Sequence, residues 1–526
     1  MCFKDTVCVP TTSVFMLLFT FDYWRQYTMG CEDVFKSLRE VGCCKRCCLR
    51  VIGERESTAY SDVPETLRKK GLESPVETNE CGEDNVSEVI CIACLGLLQD
   101  NLFEGITEKI SNKILEGSFD STTVTCALSL PVCFQIRAHS LWLFIRDKFP
   151  EYFDSDFARY ETHMVPVKDV WKWTVVPAIA KRVNKSFDSG DKCNFFVNVN
   201  VEYANDEDEC AHMQKMCKKF FAERRTQRRK FRGELYTRKG VEQLLPTIDS
   251  KVFKENFPCP PSVPQVPVAI TSVACSHNSI YFAGRYNKFS RFLSQTPWLI
   301  DGERRMESSV QEIISDKLEA ITQSEGSRFS SSGREDVDVR MLGRGRPFSV
   351  ELLNPHRTCF SRDEVCALQA DINMGSPDSV IVRDLQLVTR ECLAELKKGE
   401  QEKQKLYEAL CICHDVPLLQ EKLDCLSSAA PLQLQQWTPI RVLHRRPLAE
   451  RVRTIHSLAA KEVSGQPGLF KLEVMAQAGT YIKEFVHGDF GRTTPDLGQL
   501  LGGVQVDILA LDVLDIMVDW PPQINS

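Results

Sequence analysis

Apolar side chains at Val310, Ile313, Ile314, Leu318 and Ile321 recur at three- and four-residue steps, the period of one helix face. Ser308 and Ser309 stand just before this run, and Gln311 and Glu312 follow at capping-box distance, so an amphipathic helix is expected to start there. Strand-like alternation appears at 472–476 and along 504–508. The second half of the chain therefore mixes helix and strand signals, without an internal repeat. The expected class is α/β (α+β), with a substantial mixed central sheet in the C-terminal half.

Residues 257–267 carry five prolines, which deny helix and most sheet pairing. This stretch reads as an extended linker and marks the clearest boundary. It is expected to separate a C-terminal domain, 256–526, from an N-terminal half. That half divides into a cysteine-rich segment at 31–100 with a polar insert, and a mixed region at 101–255. Residues 1–30 carry no usable pattern and are expected to be disordered.

A chain of 526 residues is too long for one core. At 43% hydrophobic and 26% charged it has the composition of a soluble globular protein. The apolar run at 14–21 is too short to cross a bilayer and lacks the flanks of a signal peptide, so no membrane partner is expected. A formal net charge of −7 neither supports nor excludes a nucleic-acid partner, because only a local basic patch decides that. One such patch lies at 215–239, where Lys218, Lys219, Arg224, Arg225, Arg228, Arg229, Lys230 and Arg232 interleave with Phe220, Phe221 and Phe231. RNA contact, a solvated helix face and a nuclear import signal all fit this run.

The 23 cysteines are scattered along a long chain, which does not suit a disulfide scaffold and points to a reduced, intracellular protein. Two pairs stand apart. Cys44-Lys-Arg-Cys47 and Cys91-Ile-Ala-Cys94 supply four thiolates, the ligand set of a closed structural zinc site. Cys43 and Cys48 flank the first pair and leave its register ambiguous.

Residues 330–340 hold the densest chemistry: Arg334, Glu335, Asp336, Asp338 and Arg340 crowd behind Gly333. Alone, this run fits a metal site, an ion-paired turn or a nucleophile held by a basic group. Gly333-Arg334-Glu335-Asp336 resembles the G-R-x-D element of pseudouridine synthases. Lys405-Leu-Tyr407-Glu-Ala409 resembles the K-x-Y-x-A element of that superfamily. Gly479-Thr-Tyr-Ile482-Lys483, followed by Asp489-Phe-Gly491, resembles its G-T-Y-I-R…D-x-G element. The three occur in the required order. Longer stretches at 283–291, 295–304 and 441–447 are similar to the archaeal and animal tRNA pseudouridine synthase family sometimes called "Pus ten". The resemblance begins near Met29, which leaves room for an alternative start there.

The resemblance implies a C-terminal pseudouridine synthase fold. It also implies an N-terminal half with a zinc-knuckle segment at 31–100 and a THUMP-type RNA-binding domain at 101–255. It implies isomerisation of uridine in the TΨC loop of tRNA, with structural zinc and no organic cofactor. Asp336 would act as nucleophile or electrostatic base, Lys483 would pair with it and keep it ionised, Tyr407 would stack on the target base, and Ile482 would wall the pocket. Arg334 would either fill the space left by the flipped base or form an ion pair with Glu335 or Asp338. Arg285, Lys288, Arg291, Arg445 and Arg446 suit phosphate contact, beside Arg228, Arg229 and Lys230 of the basic run. The protein is expected to be a monomer of nucleus and cytoplasm. The rival is a non-catalytic RNA-binding adaptor that keeps the synthase fold.

Overall fold

The computed structural model describes residues 31–73, 89–153, 163–188, 193–226, 235–396, 403–414 and 420–524. The chain divides into two compact units, Met1–Ser276 and His277–Ser526. Residues 1–30, and Arg228, Arg229 and Lys230 of the basic run, lie outside the described residues.

In the first unit, strands β1 (Thr123–Ser129), β2 (Ser186–Phe187), β3 (Phe195–Glu202) and β4 (Ala269–His277) form one sheet in the order β2-β1-β3-β4. The apolar alternation of β3, with Phe195, Val197, Val199 and Val201 buried, turns one face of the sheet inward. Helices Asp100–Glu116, Cys133–Lys148 and Val167–Arg182 supply Ile110, Ile114, Ile136, Ile145, Trp171 and Ile179 to the same core. The insert between the cysteine pairs is not uniformly polar in its role. Its helix Val63–Lys69, capped by Asp62, buries Val63 and Leu67.

The proline-rich stretch 257–267 is part of this unit rather than a free linker. Phe257 is buried, Ser140 Oγ donates to the Pro258 carbonyl at 2.6 Å, and Arg137 Nη1 donates to the Ser262 carbonyl at 3.0 Å. Backbone that proline bars from sheet pairing is satisfied by side-chain donors instead. The chain then enters β4, which adds to the sheet.

The second unit is built on strands β5 (Ile280–Lys288), β8 (Gly326–Ser331), β9 (Arg340–Leu353), β10 (Val380–Val388), β11 (Lys405–Cys413), β12 (Leu432–Trp437), β13 (Glu450–Glu462), β14 (Leu469–Ala476), β15 (Thr493–Thr494) and β16 (Val506–Ile516). The short strands β6 (Leu299–Ile300) and β7 (Glu303–Arg304) pair only with each other. The large sheet runs β10-β5-β9-β16-β11-β14-β13-β12-β15, with β8 on β9. It is mixed, as the sequence pattern predicts: β9 and β16 pair in parallel through Arg340–Asp512 and Met341–Val513, and the other described pairings are antiparallel.

The helix Val310–Thr322 begins where its pattern places it. The Ser309 hydroxyl accepts from the Glu312 amide and donates to the Glu312 carboxylate. Val310, Ile314 and Leu318 enter the second core with Phe282, Phe348 and Val350.

Candidate active site and metal centre

In the first unit the sulfur atoms of Cys44, Cys47, Cys91 and Cys94 lie within 4.8 Å of one another, and all four residues are buried. Cys44 Sγ and Cys94 Sγ are 3.8 Å apart. A tetrahedron with metal–sulfur bonds near 2.3 Å has an edge of about 3.8 Å, so this donor set fits a tetrahedral ion without rearrangement. The ambiguity of register is gone, because neither Cys43 nor Cys48 joins the cluster. N–H groups aim at the sulfurs: the Cys44 amide at Cys91 Sγ (3.2 Å), the Leu98 amide at Cys94 Sγ (3.4 Å) and Arg50 Nε at Cys47 Sγ (3.5 Å). Donors of this kind stabilise thiolate charge and fix ligand orientation.

In the second unit, the turn between β8 and β9 carries the carboxylates, and the two neighbours Glu335 and Asp336 face opposite ways. Glu335 is buried. It accepts from Arg346 Nε at 2.7 Å and from Tyr286 Oη at 2.8 and 3.0 Å. Arg346 Nη1 also donates to the Ser332 carbonyl at 2.7 Å, and Gln295 Nε2 reaches Tyr286 Oη, Ser331 Oγ and the Gly333 carbonyl. A buried charge pair is tolerable only when its remaining hydrogen bonds are met, and here they are. Gly333 adopts φ +91, and a Cβ there would lie 2.7 Å from Lys405 Nζ and 3.0 Å from Arg346 Nη1. Glycine is therefore required for the turn to close over this network.

With Glu335 anchored inside, Asp336 turns outward and keeps about a third of its side chain exposed. Arg441 Nη1 donates to Asp336 Oδ2 at 2.9 Å, while Arg441 Nε donates at 2.7 Å to Glu484, which is buried. Lys483 lies 3.5 Å from the same Asp336 oxygen but holds both oxygens of Asp338 at 2.7 and 2.8 Å. Burial alone would raise the Asp338 carboxyl, but the Lys483 hydrogen bond and charge outweigh it and keep that pKa below the ordinary range. Lys483 thus meets Asp336 as expected, with Asp338 as its tighter partner. The closest cation on Asp336 is Arg441, which stands inside a motif of the sequence but gives no local sign of this pairing.

Tyr407 is half-buried on β11, flanked by Val474 of β14 and Val513 of β16. Lys405, two residues earlier on the same strand face, reaches toward Gly333. Burial pushes the Tyr407 phenol up to about 12, with the Arg346 charge opposing. Ile482 is buried at the start of the helix Ile482–His487 and packs in the second core.

The residues expected at phosphate divide sharply. Arg285 is buried and donates to the carbonyls of Arg344, Gly345, Val518 and Trp520. Lys288 is fully buried and ties the Leu293, Asp336 and Val337 carbonyls together at 2.8, 3.1 and 2.8 Å. Arg291 donates to the carbonyls of Asp338 and Leu511 and pairs with Asp512 at 2.7 Å. Arg285 and Lys288 spend their donors on backbone inside the fold, whereas Arg291 braces the site while keeping 29% of its side chain exposed. Arg445 and Arg446 are exposed in the loop between β12 and β13, and Arg334 is exposed on the turn itself. Neither Glu335 nor Asp338 pairs with Arg334, since Arg346 and Lys483 hold them. In the basic run, Phe221 and Arg224 are buried, so part of it serves the core of the first unit.

The sequence family described as "Pus10, C-terminal" matches residues 281–517, and "Eukaryotic Pus10, N-terminal" matches residues 91–275. The "tRNA pseudouridine synthase Pus10" of Mus musculus is 38% identical, covering 94% of this chain and 98% of its own length. The protein of the same description from Homo sapiens is 39% identical, over 88% of this chain and 87% of its own length. The "Putative tRNA pseudouridine synthase Pus10" of Drosophila melanogaster is 35% identical over 94% and 98%. A chain of a Cbf5-Nop10-Gar1 complex aligns over 44% of this chain and 47% of that chain, with a TM-score of 0.25 and 16% identity, too distant to carry weight.

Proposed function

The chain belongs to the Pus10 family of tRNA pseudouridine synthases, and we infer that it converts uridine to pseudouridine in tRNA, with Asp336 as the acting carboxylate. The observation that carries this assignment of roles is the division of labour in the turn. Glu335 holds the loop from inside, and Asp336 turns outward, about a third exposed, between two cations.

Uridine and pseudouridine contain the same atoms. The C1′–N1 bond breaks, the freed uracil turns, C5 bonds to C1′, and the proton displaced from C5 is balanced by one gained at N1. Asp336, paired with Arg441 and Lys483, would attack the sugar or base as the glycosidic bond opens. Its fixed neighbours need no rearrangement as charge develops. Tyr407, a neutral phenol, would lie against the uracil, able to donate a proton but not to serve as a phenolate. Ile482 would close the wall of the pocket. Uridines of the TΨC loop are the proposed targets. Arg334 would occupy the space that the flipped base leaves, and Arg445 and Arg446 would meet backbone phosphate.

Zinc is the metal proposed for the four cysteines. Four buried thiolates leave no open position for water, so the ion would join two segments of the first unit and take no part in the chemistry. That unit is proposed as a THUMP-type RNA-binding domain, with residues 215–239 gripping tRNA or directing the protein to the nucleus as well as the cytoplasm. Among the described residues no helix is long and apolar enough to cross a membrane.

The test is incubation of the purified protein with an unmodified tRNA transcript, followed by base-resolved detection of pseudouridine. Conversion at one or two uridines supports the assignment; tRNA that binds but stays unmodified favours the adaptor.

A further inference from the structure

Among the described residues the two most exposed large apolar side chains are Phe490 and Phe292, at 94% and 85% of full exposure. An aromatic ring left in water forgoes the burial that normally stabilises it. Each has chain neighbours linked by hydrogen bonds to the turn that carries Asp336.

Phe292 stands between Arg291, which donates to the Asp338 carbonyl at 2.8 Å, and Leu293, whose carbonyl shares the Lys288 ammonium with Asp336 and Val337. The Phe292 backbone is thus pinned to the turn on both sides. Phe490 is linked to the turn through residues 440 and 441 of the β12–β13 loop. Its neighbour Asp489 is buried and accepts from the Ile440 amide at 3.3 Å, and the next residue, Arg441, donates to Asp336. Asp489 and Phe490 have φ of +48 and +57, the one consecutive pair of non-glycine residues with positive φ among the described residues. Such backbone persists only where its surroundings over-determine it. Here the amides of Gly491, Arg492 and Thr493 close onto the Gly488 and Asp489 carbonyls, and Arg492 Nη2 donates to the Thr438 carbonyl at 2.7 Å. A strained, well-held turn therefore does nothing for Phe490 except present it to solvent.

We propose that Phe292 and Phe490 are stacking platforms for unpaired bases on either side of the target uridine. This rests on the RNA reading given above. Extracting a base from its stack leaves neighbours with open faces, and exposed aromatic rings take such faces irrespective of sequence. The charge around the rings fits RNA: Arg334, Arg445 and Arg446 are exposed nearby in the turn and the β12–β13 loop. Neither ring contributes to the core, so replacement leaves the fold intact.

The experiment compares Phe490→Ala, Phe490→Leu and Phe490→Trp, each also with Phe292→Ala, in the full-length protein with tRNA transcript. Loss of one stacked base weakens binding by about 5- to 150-fold. Alanine and leucine at 490 should both raise KM by a factor in that range, with kcat nearly unchanged, while tryptophan restores wild-type KM. Phe292→Ala should add a further loss. Leucine behaving like phenylalanine would overturn stacking in favour of an apolar contact with another protein, and alanine within twofold of wild type would overturn it outright. A second readout does not need turnover. Fluorescence of Phe490→Trp above the wild-type background should be quenched by a single-stranded RNA oligonucleotide, and no quenching on saturation would also overturn the proposal. Wild-type protein that makes no pseudouridine while this quenching occurs would refute the enzymatic reading and leave the stacking role standing.

Discussion

The Arg441 guanidinium bridges Asp336, at 2.9 Å, to the buried Glu484, at 2.7 Å, and so fixes the carboxylate proposed to act, through a residue 105 positions away. Burial opposes the charge on Arg441, yet the Glu484 hydrogen bond and the surrounding carboxylates raise its pKa. Removing this donor costs Asp336 a charge-assisted hydrogen bond, worth about 1.5–3 kcal/mol. Arg441→Ala should lower kcat/KM on the order of 10- to 150-fold, with the loss mainly in kcat. Single-turnover rates at saturating tRNA check it; Arg441→Lys should recover only part, because it cannot hold both carboxylates.

Lys483 gives a second measurable consequence. Asp338→Asn should be milder than any change at Asp336, since Lys483 can then close the 3.5 Å gap to Asp336. The pair also has a pH signature. Asp338 titrates lower in the folded chain than unfolded, so its contribution is complete above about pH 4 and fades as pH falls through the folded value. Asp338 is largely exposed, so the gain is at most about 1 kcal/mol. Melting temperatures of wild type and Asp338→Asn should differ slightly at pH 6 and converge in acid.

Tyr407 should show its phenol in the pH–rate profile by what is missing. With its pKa pushed up to about 12, it stays protonated across the working range. No alkaline loss of kcat attributable to Tyr407 should appear below about pH 11. Tyr407→Phe keeps the ring and loses the proton, so it should bind tRNA normally while slowing product formation.

What the sequence made legible was chemistry in short segments. Each cysteine pair, the capped helix Val310–Thr322 and each of the three elements around Asp336, Tyr407 and Lys483 depend on residues within a few positions of one another. What it concealed was burial. Arg285 and Arg445 read alike as basic residues in motifs, but Arg285 spends its donors on carbonyls of Val518 and Trp520, more than 230 positions away, and Arg445 is exposed. The role of Glu335 was hidden for the same reason: its partners Tyr286 and Arg346 come from β5 and β9, which meet only in the folded sheet. Likewise, five prolines suggest a linker until Ser140 and Arg137 are seen holding the carbonyls of Pro258 and Ser262.

The metal site predicts one zinc per chain in protein purified without chelators. Cys47→Ser should release it and lower the stability of the first unit, because metal binding contributes directly to folding. Elemental analysis and thermal melting give the two readouts; a chain that is fully stable and metal-free would contradict the assignment.

Salt dependence separates the exposed cations from the buried ones. Replacing Arg445 and Arg446 together should reduce the slope of log affinity against log salt by about 1.4 for single-stranded contacts, because fewer counterions are released. Neutralising Arg228, Arg229 and Lys230 together should flatten the slope as well, without lowering turnover at saturating tRNA. Equal slopes in wild type and the triple variant would make that run a solvated face or an import signal.

The most direct test of the whole account is turnover and tRNA affinity of Asp336→Asn, measured side by side with wild type on the same transcript. The substitution removes a charge and almost no volume, and the loop stays anchored by Glu335 and Arg346. The account predicts tRNA affinity within about threefold of wild type and pseudouridine formation lower by on the order of a thousandfold or more. Turnover within about tenfold of wild type, or its loss in Asp338→Asn instead, would contradict it.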